Sequence, residues 1–104
     1  MAEAALLPVE LKNFADRLGR LKQWPVRRKL QLIAVAYLAT RFERAVAYRE
    51  REVNRILDDW ALFRDAPLLR RSLVDLGYLV REPDGSRYWV AAVLPDRESR
   101  TVSA

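Results

Sequence analysis

Leu7, Leu11, Phe14, Leu18 and Leu21 recur at alternating spacings of four and three. That period predicts an amphipathic helix over about 8–20, with Pro8 in its first turn and Gly19 near its end. Its apolar seam is narrow and only two heptads long, so it either packs on its own domain or forms the seam of a dimer. Trp24-Pro25 interrupts the chain. Leu30, Ile33, Ala34, Tyr37 and Leu38 then give a broad apolar face, which predicts a central core helix over about 26–42.

The alternation of Val46, Ala47 and Tyr48 is too short for a helix and predicts a brief strand. Glu50 and Glu52 suit the first turn of a helix over about 50–60, whose inner face is Val53, Ile56, Leu57 and Trp60. Asp65 is a cap and Pro67 a first-turn residue for a fourth helix over about 66–76. Leu69, Leu73, Val74 and Leu76 are its apolar positions and Gly77 its stop. Two strands follow, Tyr78 to Glu82 and Arg87 to Val93, joined by the turn Pro83-Asp84-Gly85-Ser86.

A three-helix core with a hairpin on one edge is the compact way to bury these faces. The expected fold is mainly α with some β: a winged helix-turn-helix-like domain over 22–93, with an extra N-terminal helix within 1–21. Residues 94–104 read as a polar, flexible tail.

Four stretches carry a resemblance. They are Leu21-Lys22-Gln23-Trp24-Pro25, Tyr48 through Leu57 (YREREVNRIL), Leu69 through Arg81 (LRRSLVDLGYLVR) and Asp84-Gly85-Ser86-Arg87-Tyr88-Trp89. In this order and spacing, over about 21–90, the chain resembles the bacterial domain-of-unknown-function family 2087. The resemblance implies a winged-helix-like fold and a transcription-related role. It supplies no catalytic or ligand residue. Two positions depart from the family pattern: Arg49 stands where Thr or Ser, natural helix caps, are frequent, and Phe63 where His is frequent.

Composition removes several function classes. The chain has 104 residues, no Cys and no His. Disulfides, thiolate metal sites and any nucleophile activated by imidazole are therefore excluded within the chain, and no cofactor or metal is expected. Asp58-Asp59 is a poor acid/base pair, because helical neighbours in sequence diverge. An acidic start and a longest apolar run of Leu32 to Ala39 argue against a signal peptide and a membrane span. A cytoplasmic, non-enzymatic protein is expected.

The net charge of +5 sits mainly in residues 22–60, with nine basic against five acidic residues; residues 61–93 carry five against four. A basic surplus favours polyanions. Lys22, Arg27, Arg28 and Lys29 are candidates for backbone phosphates, because positive charge in a helix's first turn opposes the macrodipole and an anion would offset it; the alternative is an ordinary solvated face. Arg70, Arg71 and Ser72 occupy the recognition-helix position, where Arg grips guanine bidentately. Alternatively Arg71 pairs with Asp75, and Arg70 braces the fold through Glu50 or Glu52. Arg81, Ser86 and Arg87 flank or occupy the wing and are candidates for phosphate or the minor groove, the alternative being a plain solvated hairpin; Arg49 is a further candidate for DNA binding. Trp60 reads as core, and one of Tyr88 and Trp89 faces inward.

Two functions compete. One is a DNA-binding transcriptional regulator, dimerising through Leu7, Leu11, Phe14, Leu18 and Leu21 on double-stranded DNA. The other is a non-catalytic protein-interaction or dimerisation module that keeps the fold without binding DNA, as Asp65, Asp75, Glu82 and Asp84 around the recognition helix would suggest.

Overall fold

The computed structural model describes residues 6–95, so most of the expected tail lies outside the described residues. A short 3-10 helix, Val9–Phe14, is followed by α1 (Arg28–Ala39), α2 (Glu50–Trp60), α3 (Ala66–Asp75), β1 (Leu79–Arg81) and β2 (Tyr88–Val90). The strands pair antiparallel in register Leu79↔Val90, Val80↔Trp89 and Arg81↔Tyr88. The protein is a mixed α+β fold of packed helices with one hairpin.

α1 is apolar on several sides because it is the central element: Ile33, Ala34, Val35, Tyr37 and Leu38 are all buried. α2 and α3 close over it with Val53, Leu57, Leu69 and Leu73. Tyr78, Leu79 and Tyr88 bring the hairpin into the same core, which contains no buried charged residue among the described residues. α3 begins as the sequence predicts, with the Asp65 carboxylate accepting the Leu68 N–H at 3.4 Å and Pro67 in the first turn. It stops at Gly77, whose φ of +88° a side chain would resist.

Three sequence expectations are corrected. The helix expected over 8–20 is not formed. The 3-10 helix ends at Phe14, and the Asp16 carboxylate accepts the N–H groups of Leu18 and Arg20, both at 2.9 Å. Such a side chain offers the backbone an alternative to helical bonding. The chain then returns on itself, pairing Ala15 with Leu21, and Leu21 also pairs with Ala61 beyond α2. α1 begins at Arg28, not 26; the Pro25 and Val26 carbonyls are held by the Gln31 amide instead. The strand around Tyr48 shrinks to a single bridge, Tyr48↔Tyr88. Ala45, in the left-handed region at φ +63°, breaks the extended run before it.

The returning loop is tied to α1. Tyr37 donates its hydroxyl hydrogen to the Gly19 carbonyl at 2.8 Å and accepts from Arg41 at 2.7 Å. The Arg41 guanidinium stacks 3.9 Å from the Trp60 ring centre, which links this corner to the end of α2. Gly19, at φ +82°, lies so close that a Cβ there would meet the Tyr37 hydroxyl at 2.6 Å.

Candidate nucleic-acid interface

The arginines of α3 separate into two kinds. Leu69 and Leu73 face the core. Arg70 sits beside that inward face and is mostly buried. Its guanidinium hydrogen-bonds the Asn54 side chain and lies 3.7 Å from the Glu50 carboxylate, both on α2. The other Glu50 oxygen accepts from the Tyr88 hydroxyl at 3.2 Å. One carboxylate therefore ties α2 to α3 and to β2, and Arg70 is a structural brace. Ser72 turns its hydroxyl back to the Leu68 carbonyl at 2.9 Å, so it is already satisfied.

Arg71 is exposed and makes no ion pair among the described residues; the alternative pairing with Asp75 is not formed. It opens onto a groove of about 280 Å³ between α3 and the hairpin. Arg70, Arg71 and Arg81 line that groove together with Glu50 and Asp75. The hairpin tip is less basic than the sequence suggests. Asp84 accepts the Ser86 N–H at 2.9 Å. Hydrogen bonding from the Ser86 side chain and backbone holds its carboxyl below the usual range, with a smaller contribution from the Arg81 charge. The acidic side chains of Glu82 and Asp84 thus sit at the same end of the hairpin as Arg81.

Arg49 and Arg87 are brought together by the Tyr48↔Tyr88 bridge, and they line a second cleft of about 320 Å³. Arg49 is the cap residue of α2. A guanidinium cannot accept a hydrogen bond, so only the reciprocal half of a capping box forms: the Arg49 N–H donates to Glu52 at 2.6 Å. Glu52 thus satisfies the Arg49 N–H, while the cap position itself offers the first-turn amides no side-chain acceptor. Arg51 lines the same cleft and was not singled out from sequence, because an exposed helical arginine carries no periodic signal.

The remaining candidates lie apart from these. Arg27 is the cap position of α1, and Arg28 and Lys29 begin its first turn, which holds no acidic residue. All three are exposed, with Arg28 donating to Gln31 at 3.3 Å. Lys22 lines a shallow depression with Asp16, Arg17 and Arg20. The five apolar seam positions do not form one stripe. Leu11 and Leu21 are fully buried in the chain's own core, Phe14 is half-buried and Leu7 packs at the core's edge, whereas Leu18 is 68% exposed.

Of the aromatic candidates, Tyr88 is core and Trp89 half-buried. Trp24 packs against Phe63 with ring centres 6.1 Å apart, which gives Phe63 a packing role. Asp58 faces Arg64 at 3.5 Å, not Asp59. No group of three or more potential metal ligands occurs among the described residues, and no helix there is long and apolar enough to cross a membrane.

Fold and surface together define a small α+β domain with arginines around two clefts. Residues 20–90 match the family described as an uncharacterized protein conserved in bacteria, DUF2087. The chain belongs to that family. No curated protein and no solved structure matches the chain.

Proposed function

We propose that this protein is a non-catalytic, cytoplasmic winged-helix regulator that binds double-stranded DNA, with α3 as the recognition helix and the hairpin as the wing. The observation that carries this reading is the Tyr48↔Tyr88 bridge. It adds a minimal strand to the hairpin, and from α1 onward the order becomes helix, strand, helix, helix, strand, turn, strand. That is the winged helix-turn-helix order, and in it Arg71 is an exposed cation of the recognition helix with no ion pair among the described residues. A lone domain of this kind binds non-specific DNA weakly, with Kd about 10⁻⁴–10⁻⁶ M at physiological salt. Function at an operator then calls for a homodimer on two half-sites.

Selection from a randomised duplex pool tests the proposal. A preferred sequence should emerge, and Arg71→Gln should relax the preference at one base pair while leaving the fold intact. A pool that stays random through selection would contradict it. The second reading, an interaction module that does not bind DNA, draws on one specific observation: Asp65, Asp75, Glu82 and Asp84 are all exposed around α3 and the hairpin, while Arg70 is turned inward.

A further inference from the structure

The cleft formed by Arg49, Arg51 and Arg87 has no internal explanation for its charge. Tyr48 and Tyr88 exchange both backbone hydrogen bonds, at 2.7 and 2.8 Å. In an antiparallel pair this places the next residues, Arg49 and Arg87, opposite one another. Like charges directly opposite are unfavourable. Arg51, two residues into α2, adds a third cation to the same cleft. None of the three makes an ion pair among the described residues. Glu52 is the one acidic residue in the lining, and one of its oxygens is already committed to the Arg49 N–H.

Burial of the Tyr48 and Tyr88 side chains in the core fixes this register. The register obliges the arginines to converge. An oxyanion in the cleft would turn their repulsion into attraction, and Arg matches the geometry of phosphate better than any other side chain. At about 320 Å³ the open cleft has room for a phosphate group. The hairpin tip, by contrast, bears the anions Glu82 and Asp84 and is a poor phosphate contact.

We infer that Arg49, Arg51 and Arg87 bind one phosphate group, supplied by the DNA backbone. The source rests on the proposed function; the chemistry of the cleft does not. The wing of this protein therefore engages DNA at its base, beside the start of α2, and its tip stays clear of the backbone.

The test is amide chemical-shift titration of the full chain with three probes: a short duplex, inorganic phosphate, and sodium chloride at matched ionic strength. The variant is Arg49→Gln/Arg51→Gln/Arg87→Gln, with Arg87→Gln alone as a milder second variant should the triple fail to fold. Phosphate and duplex, but not chloride, should shift the amides of residues 47–52 and 87–88 in the parent chain. The triple variant should lose those shifts but keep duplex-induced shifts around Arg71, and its duplex affinity should fall with a salt slope smaller by about 0.9. Phosphate shifts without any duplex binding would uphold the phosphate site, overturn DNA as its source and sink the regulator reading separately. Unmoved resonances with every probe, or shifts that survive in the variant, would overturn the inference.

Discussion

The Glu50 carboxylate lies 3.7 Å from the Arg70 guanidinium and, through its other oxygen, 3.2 Å from the Tyr88 hydroxyl. This node sets how α3 is held against α2 and the hairpin, and it separates Arg70 from its neighbour Arg71. Glu50 is about half exposed, so solvent screens the ion pair and leaves it worth well under about 1 kcal/mol. The hydrogen bond to Asn54 adds about 1 kcal/mol. Arg70→Ala should therefore lower unfolding stability by about 1–2 kcal/mol in urea titration. Arg71→Ala should stay within about 0.5 kcal/mol of the parent while weakening duplex binding. Equal stability losses for the two would refute the division of roles.

The Gly19 corner should be sensitive to both of its partners. Gly19→Ala combines a left-handed φ with a Cβ 2.6 Å from the Tyr37 hydroxyl, and should cost about 2 kcal/mol or more. Tyr37→Phe loses two hydrogen bonds and should cost about 1–2 kcal/mol. The steric part depends on the hydroxyl, so Gly19→Ala should cost less in the Tyr37→Phe background. Strict additivity in that double-mutant cycle would refute the contact.

The N-terminal leucines should divide by burial, not by heptad position. Leu11→Ala and Leu21→Ala empty fully buried sites and should each cost about 2–5 kcal/mol. Leu18→Ser should be close to neutral for the fold. If a dimer exists, Leu18 is the seam residue free to serve it, and sedimentation of Leu18→Ser against the parent chain reads that directly.

Acid should destabilise the protein in a defined window. At Asp16 partial desolvation raises the carboxyl's pKa, but hydrogen bonds from the Arg20 backbone and side chain and from Leu18 outweigh it, and the net shift is downward. At Asp84 the Ser86 hydrogen bonds dominate, and the shift is also downward. A carboxyl depressed in the folded state contributes stability that is present above its unfolded pKa, about 3.9, and lost as pH falls through the folded value. Stability should thus decline below about pH 4. No imidazole titrates between pH 5 and 8, because the chain has no histidine. Asp16→Asn should flatten the acid limb of a melting-temperature profile; an unchanged limb would show that the Asp16 bonds contribute nothing.

Much of this architecture was legible in the chain. Glu50 and Glu52, Asp65 with Pro67, Gly77, and the Pro83 to Ser86 turn are local signals, and α2, α3 and the hairpin follow them closely. The N-terminal segment misled because apolar spacing alone cannot distinguish a short helix from a loop that buries the same leucines. What decided there was a competing carboxylate, Asp16, and the long-range pairing of Leu21 with Ala61. The candidate site was legible in part. Arg71 stands exposed where helical position put it, whereas the Asn54 partner of Arg70 and the convergence of Arg51 with Arg87 depend on register between distant segments. No local pattern encodes that.

DNA binding through exposed cations is the proposal on which the rest depends. The most direct test is fluorescence anisotropy of a labelled random-sequence duplex, titrated with the folded protein at several salt concentrations. Binding should be measurable at low salt, with log affinity falling linearly against log salt by about 0.9 for each phosphate neutralised. Replacing Lys22, Arg27, Arg28 and Lys29 with Gln should reduce that slope. No binding at the lowest salt, from protein shown to be folded, would contradict DNA binding and leave α3 and the hairpin as a surface for another protein.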